Sequence, residues 1–548
     1  MPPRRSSTRF LPLLLALAIP LGAQEPRDSA AAPELAPGGA VRALTTIGGA
    51  AEEGLRDAQL RGRAPVDGFL VRSPSSLAAD RGNGVWIVAP EATFAWNSAI
   101  PFSINDGALW AARGLSGLVM TGVQAQAGPV RLVLAPEMSY TENGAFDDIL
   151  PYDWGPEQRA RYRAPWQSGT HSIDLPVRPG GGERRRIHPG QSSLTVRAGA
   201  VALGAATENQ WWGPGVRNAV LLGGQAAGIP HLFLRTARPL STPLGRVEAR
   251  WIAGGLRESE WFNTDASDDW RSLSAAAVVL TPVDGVSLGV ARSVYSGADG
   301  GAGVLKNGAD VLLRWRGAGD TLAARPFEQM TSLFGRMVLP ADGAEAYAEW
   351  VRYRLPGSVR ELMERPEHTQ GYTVGMQWLR PAPGGSVRLQ AEHTYLEKSP
   401  SYRALPTGSY YASAAVPQGY THEGQVIGSP VGPGASGQWL GVDWLGRGAR
   451  AGIFAGRIRW ANDALYDKPA PNAAFRGHDV TLLAGLRGAA DVGGARVSAE
   501  WTAGKRWNYL FQGYAFDWNQ RENAVNVVNH TLRLQVSAAP GRSAGRAP

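Results

Sequence analysis

The densest concentration of groups able to hold a ligand is the run Thr207-Glu208-Asn209-Gln210-Trp211-Trp212-Gly213-Pro214-Gly215-Val216-Arg217-Asn218. Two adjacent indoles offer flat faces on which the C–H side of a sugar ring can stack. Glu208, Asn209 and Asn218 can hydrogen-bond hydroxyls, and Arg217 can pair with an acidic sugar. Gly213, Pro214 and Gly215 would supply a rigid bend beneath them. The same residues also read as a plain turn, with Trp211 and Trp212 in an aromatic girdle at a membrane interface, and the residues alone leave both readings open.

Catalytic patterns do not accompany this run. There is no GxxxxGK[ST] phosphate loop, no GxSxG nucleophile elbow and no HExxH zinc helix. The eight histidines, at 171, 188, 231, 368, 393, 422, 478 and 530, lack metal-ligand spacing. With no cysteine, disulfides, thiolate metal sites and cysteine nucleophiles are excluded. No acid-base carboxylate pair of the kind glycoside hydrolysis requires can be named. The expectation is therefore no catalytic residue, no metal and no cofactor, in a chain that is not an enzyme.

The elements that must carry the run are read from the chain around it. Residues 1–23 combine a basic start (Arg4, Arg5, Arg9), an apolar stretch from Phe10 to Leu21 and a Leu21-Gly22-Ala23 end, the pattern of an export signal. Its loss would lower the formal charge from +8 to +5. The remaining arginines are scattered apart from Arg184-Arg185-Arg186, so no nucleic-acid partner is expected. Residues 24–85 form an N-terminal periplasmic segment in which Ala51, Leu55 and Ala58, with Glu52 and Glu53 early and Gly62 after, predict one short helix and a possible plug.

From about Val85 the period becomes two. Val374, Met376 and Trp378 alternate with Thr373, Gly375 and Gln377, and after a Pro-Gly turn Val387, Leu389 and Ala391 alternate with Arg388, Gln390 and Glu392. The form recurs from Val480 through Trp501, at Leu532, Leu534 and Val536, and in hairpins at Val119 to Leu134 and Leu273 to Tyr295. Short turns alternating with long segments such as Tyr152 to Arg186 and Tyr395 to Tyr420 fit an outer-membrane barrel. The predicted fold is thus an all-β transmembrane antiparallel β-barrel over 86–540, followed by a polar tail at 541–548. Alternation turns Arg388, Glu392, Arg496, Glu500 and Arg533 inward. Arg292 falls on the greasy face, where an arginine costs roughly 2–4 kcal/mol at the bilayer midplane and far less near the interface, so it is expected near a strand end.

The motif Glu208 to Gly215, followed by Arg217-Asn218, Pro230-His231, Pro239, Thr242-Pro243, Gly245 and Glu248, resembles the signature region of the capsule assembly Wzi family. Upstream His171-Ser172-Ile173-Asp174-Leu175-Pro176 and Pro189-Gly190-Gln191-Ser192-Ser193 agree with it. Downstream so do Glu345 to Trp350, Pro366-Glu367-His368 and Gln418 to Gly428. The resemblance spans roughly residues 90–540. It implies a barrel of about eighteen strands in the cell outer membrane, acting as a lectin-like protein that helps attach capsular or other surface polysaccharide to the cell. Its partners would be that polysaccharide, outer-membrane lipid and the capsule export machinery. Two departures stand out: only one good helix is available for a plug, and the chain runs past Val536 into a tail without a terminal aromatic. The competing function is a general porin or outer-membrane transporter, which would need an open lumen.

Overall fold

The computed structural model describes residues 39–78, 82–146, 172–263, 265–315, 326–403, 405–464, 477–511 and 526–539. The expected export signal at 1–23, the tail at 541–548 and His171 lie outside them.

Eighteen strands close into one antiparallel barrel. They are β1 (Gly84–Asn97), β2 (Gly114–Ala127), β3 (Val130–Leu134 and Glu137–Thr141), β4 (Arg184–His188 and Ser193–Ala198), β5 (Val201–Ala206) and β6 (His231–Thr236 and Leu240–Thr242). There follow β7 (Gly245–Arg257), β8 (Trp270–Val283), β9 (Val286–Gly297), β10 (Phe327–Leu339), β11 (Ala344–Arg352) and β12 (Gln370–Ala382). The last six are β13 (Gly385–Tyr395), β14 (Ser436–Gly446), β15 (Ala449–Trp460), β16 (Asp479–Val492), β17 (Ala495–Trp507) and β18 (Val527–Ala538). Each pairs with its neighbour, and β18 returns to β1 through Thr531↔Asn97 to Val536↔Ala92. Closure leaves no edge, which lets strands cross lipid with their backbone groups paired. No helix among the described residues is long and apolar enough to cross a membrane.

The period of two decides which side faces what. Val374, Met376 and Trp378 stand outward and exposed, whereas Thr373 and Gln377 on the opposite face are buried in the interior. The hairpins expected at Val119, Leu273, Val374 and Val480 all form. Their strands run closer to the turn than the sequence suggests: Ala382 pairs with Gly385 and Val492 with Ala495, leaving two-residue loops. These tight turns share one end of the barrel. The long connections, such as 98–113, 207–230 and 396–435, share the other, which is the outer end by the asymmetry of such barrels.

The lumen is filled. From the outer end, the connections 207–230 and 396–435 fold inward and pack on each other: Trp212, Val220, Leu221, Tyr411, Tyr420 and Ile427 join wall residues Phe233, Leu273 and Phe334 in one apolar core. Tyr411 and Tyr420 stack 5.8 Å apart, and the Tyr411 hydroxyl donates to the Val220 carbonyl at 2.8 Å. From the turn end, the N-terminal segment enters with helix α1 (Ala50–Leu60). The predicted helix is present, but the residues it buries most deeply include Glu52, Arg56 and Gln59 as well as Leu60, because the wall it meets is charged. Arg56 pairs with Glu345, while Arg388 holds Glu53 at 2.7 Å and Asp57 at 2.9 Å. Ahead of α1, Gly39–Arg42 lies parallel to Val85–Val88, the part of β1 that β18 does not reach.

Candidate functional site

The run 207–218 crosses the interior rather than the membrane interface. Trp211 and Trp212 pair antiparallel with Arg72 and Val71 of the N-terminal segment and are 3% and 1% exposed. Their ring N–H groups donate within the run, to the carbonyl of Gly215 (3.1 Å) and to Oε1 of Gln210 (3.4 Å). Glu208 accepts from the backbone N–H (2.8 Å) and hydroxyl (2.6 Å) of Ser75. The Asn209 side chain donates to the Ala226 carbonyl (2.9 Å) and accepts from Gln191 (2.7 Å). Asn218 donates to Glu392 (2.8 Å) and accepts from Ser429 (2.6 Å).

The Gly213-Pro214-Gly215 bend is required by space. Gly213 has φ +118°, and a Cβ on Gly215 would sit 1.9 Å from the Asn218 carbonyl oxygen. The bend brings the N–H groups of Val216 (2.6 Å) and Arg217 (3.1 Å) onto the Glu392 carboxylate, to which the Tyr347 hydroxyl also donates. So fixed, Arg217 points its guanidinium over the Trp439 ring, 4.7 Å from the centroid, and reaches open space. Burial lowers its pKa from the usual arginine value.

That space consists of three cavities strung along the wall of β14 to β18. The inner one, about 270 Å³, is bounded by α1 and by Arg217, Arg388, Arg450, Arg487, Arg496 and Arg533. Most of this positive charge is matched: Asp443 accepts from Arg388 (2.9 Å), Arg450 (3.1 Å) and Arg487 (2.6 Å), and Arg533 pairs with Asp106 (2.5 Å). Burial disfavours a charged Glu53, but Arg450 and Arg388 outweigh it and hold its pKa at about 2. The five residues assigned inward by alternation do face the interior, Glu392 beside the middle cavity and the other four on the inner one.

A middle cavity of about 70 Å³ follows, narrowed by Phe102, Ile104, Val431, Phe454 and Ile458. It shares Arg217, Trp439, Glu500 and Arg533 with the inner cavity, and Phe102, Pro430 and Val431 with the outer.

The outer cavity, about 200 Å³, lies among the long connections and is lined by Phe102, Trp110, Gln225, Gln425, Trp460 and Tyr509. Trp110 and Trp460 are half-buried. On one side Arg506, held by Asp479 at 2.6 and 2.7 Å, lies over both Trp460 (4.8 Å) and Tyr509 (4.6 Å). Flat rings, side-chain amides and one braced ion pair around an open pocket are the means by which a protein holds a sugar. None of these residues was singled out from the sequence. They come from four separate connections and from the strand ends at Trp460, Asp479 and Arg506, and the visible hint was the placing of aromatics such as Trp460 at the outer ends of alternating strands.

Among the described residues a further cluster is Glu258, Asp268 and Asp269 at the outer rim, with ligand oxygens within 4.8 Å of one another. Burial raises the Glu258 pKa to about 8, and Gln418 donates to both Glu258 (2.6 Å) and Asp268 (3.1 Å).

A closed eighteen-stranded barrel with an apolar outer belt and a loop-filled lumen is an outer-membrane β-barrel, and the outer membrane is where this chain resides. The model of the family described as capsule assembly protein Wzi matches residues 114–450, more than half of the chain, and the chain belongs to that family. Among solved structures it resembles Wzi of Escherichia coli, described as an outer-membrane protein involved in group 1 capsule assembly and a carbohydrate-binding β-barrel. Identity is 12%, coverage 82% of this chain and 85% of that one, and the TM-score 0.53, a shared fold. OprB of Pseudomonas putida (11% identity, 83% and 94% coverage, TM-score 0.36) and the channel DcaP of Acinetobacter baumannii (11%, 84% and 99%, 0.34) are more distant. No curated protein sequence matches the chain.

Proposed function

We propose that this barrel binds capsular or other surface polysaccharide and helps attach it to the cell, with a sugar segment seated in the outer cavity. The observation that carries the reading is the outer cavity itself: an open, aromatic and amide-lined pocket at the end of the barrel that faces the cell exterior. Its rings would stack on sugar C–H faces while Gln225, Gln425 and the Arg506–Asp479 pair meet hydroxyls.

Among the residues picked out by the sequence motif, Arg217 is assigned contact with an acidic group of the glycan that reaches the middle cavity. Glu208, Asn209, Trp211, Trp212 and Asn218, with Gly213, Pro214 and Gly215, are assigned to holding the bend that presents it. The role is binding, not catalysis. Residues 1–23 serve as the export signal in this reading, residues 24–85 close the periplasmic end of the barrel at 86–540, and the capsule export machinery is the partner that delivers the glycan.

The test is retention of the detergent-solubilised protein on surface polysaccharide purified from its own host, comparing wild type with Trp110→Ala and Trp460→Ala. Retention that falls about tenfold, a loss of about 1.4 kcal/mol, in variants that still fold supports the pocket. Wild type that is not retained, but conducts ions in a planar bilayer, would leave the porin reading in its place.

A further inference from the structure

On the outer surface of β7 to β10, near the outer end, the barrel wall departs from the apolar rule. Ser272, Ser274, Arg292, Ser296 and Gln329 stand on the face that carries Val278, Leu288, Val290 and Leu333 further down, yet each is at most 6% exposed. What covers them is the connection after β9, which folds back over the outside of the barrel as two short helical turns, Gly300–Lys306 and Asp310–Leu313.

This strap satisfies the wall's polar groups. Asn307 donates to the Ser272 hydroxyl (3.0 Å), the Val311 N–H to the Ser274 hydroxyl (3.2 Å) and the Trp251 indole to the Gly308 carbonyl (3.0 Å). Arg292 donates to the carbonyls of Val311 and Arg314 and to Gln329 (2.6 Å), with its guanidinium 3.9 Å from the centroid of Trp315. Val311 packs with Val294 and Phe327 of the wall. The arginine expected near a strand end instead lies in the middle of β9 (Val286–Gly297), on the outward face, where the strap rather than a position at the interface spares it the cost of meeting lipid.

The side the strap turns away from the barrel has the opposite character. Leu305, Leu312, Leu313 and Trp315 are between 60% and 76% exposed. One outward step down the strands from Ala276, Arg292 and Thr331 come Val278, Val290 and Leu333, each exposed, so the strap's apolar face continues the belt. A strap that met only water would gain nothing from four large exposed apolar side chains. One that meets acyl chains must hide the polar wall and present apolar atoms, which is what this segment does.

We infer that the strap at 300–315 is a lipid-contacting element, whose Leu305, Leu312, Leu313 and Trp315 enter the acyl region of the outer leaflet at its upper edge. It widens the barrel's apolar circumference on one side, so that this side is held in the membrane by the strap as well as by the strands.

The absence of cysteine makes the test direct. Leu312→Cys and Leu313→Cys, each carrying a nitroxide label, are reconstituted in phosphatidylcholine vesicles beside Val290→Cys on the belt and the exposed Val359→Cys in the connection 353–369. The expected result is a ratio of oxygen to water-soluble nickel-chelate accessibility at positions 312 and 313 that matches Val290→Cys and exceeds Val359→Cys several-fold. A ratio equal to that of Val359→Cys overturns the inference. So does spin–spin broadening that disappears on dilution with unlabelled protein, since the face would then be covered by a second copy of the chain. All four positions are exposed, and unheated gel mobility verifies that each variant has folded.

Discussion

The two ends of the cavity system differ in what their polar groups are already doing. In the inner cavity eight arginines, six of them outside the N-terminal segment, make a strongly basic lining, yet Asp443, Glu53, Asp57 and Asp106 occupy much of their donor capacity, and the result is a seat for α1. Among the described residues the outer cavity carries fewer charges, and the Arg506–Asp479 pair that lines it braces two aromatic faces. Charge density alone is therefore a poor guide to a ligand site inside a barrel: a group already matched by its own protein has little left to offer a glycan.

This contrast is sharpest when each region is cut in turn. The greatest damage is expected from Trp211→Ala with Trp212→Ala, because each buried indole leaves a cavity worth about 3–5 kcal/mol. The barrel should lose heat-modifiable gel mobility and protease resistance, so lost glycan binding in that variant would report folding and not contact. Trp460→Ala in the outer cavity should do the reverse, leaving mobility intact while retention on polysaccharide drops about tenfold.

A smaller effect is expected inside. Glu53→Gln removes a carboxylate shared by Arg388 and Arg450, on a side chain more than a third exposed, so screening limits the loss to about 1 kcal/mol. Proteolysis of the segment 41–78 should quicken, with retention on polysaccharide unchanged. If retention fell as far as with Trp460→Ala, the inner cavity would have to be counted as part of the glycan site.

The smallest effect appears on acidification. A Glu53 pKa depressed from 4.5 to about 2 means that its ionic contribution is complete above pH about 4.5 and is lost as pH falls from there towards 2. Asp57, whose pKa burial raises, has the opposite sign and favours lower pH. Comparing the acid-induced rise in hydrogen exchange across α1 in wild type and Glu53→Gln therefore isolates the Glu53 share, which should vanish in the variant.

How much of this was legible beforehand follows from the range of the forces involved. Strand alternation at Val374 to Trp378 is local and one-dimensional, so the barrel and its hairpins could be read directly. The motif Glu208 to Asn218 was visible for the same reason, being contiguous. Its geometry was not: the partners that bury Trp211, Glu208 and Asn218 are Arg72, Ser75, Glu392 and Ser429, distant in sequence. The helix α1 was found from Ala51, Leu55 and Ala58, while the face it buries is the polar one, since a lumen inverts the usual preference. The cover over Arg292 comes from the segment 300–315, which has no alternation of its own and so leaves no trace in the period-two pattern. The outer cavity needs several connections and the ends of three strands to meet in space, and no window along the chain contains it.

The short parallel strand Gly39–Arg42 has one more consequence. Among the described residues β18 pairs with β1 from Ala92 to Asn97, and Val85 to Val88 in the lower part of β1 are already taken by Gly39–Arg42. A one-residue slip of β18 along β1 would turn its greasy side inward and is excluded by that cost, but a two-residue slip would keep every side chain on its own face, so alternation alone does not fix this register. With the lower berth occupied, the last strand has a doorstop. The closing seam is bounded at its lower end by a piece of the protein that is not one of the eighteen strands.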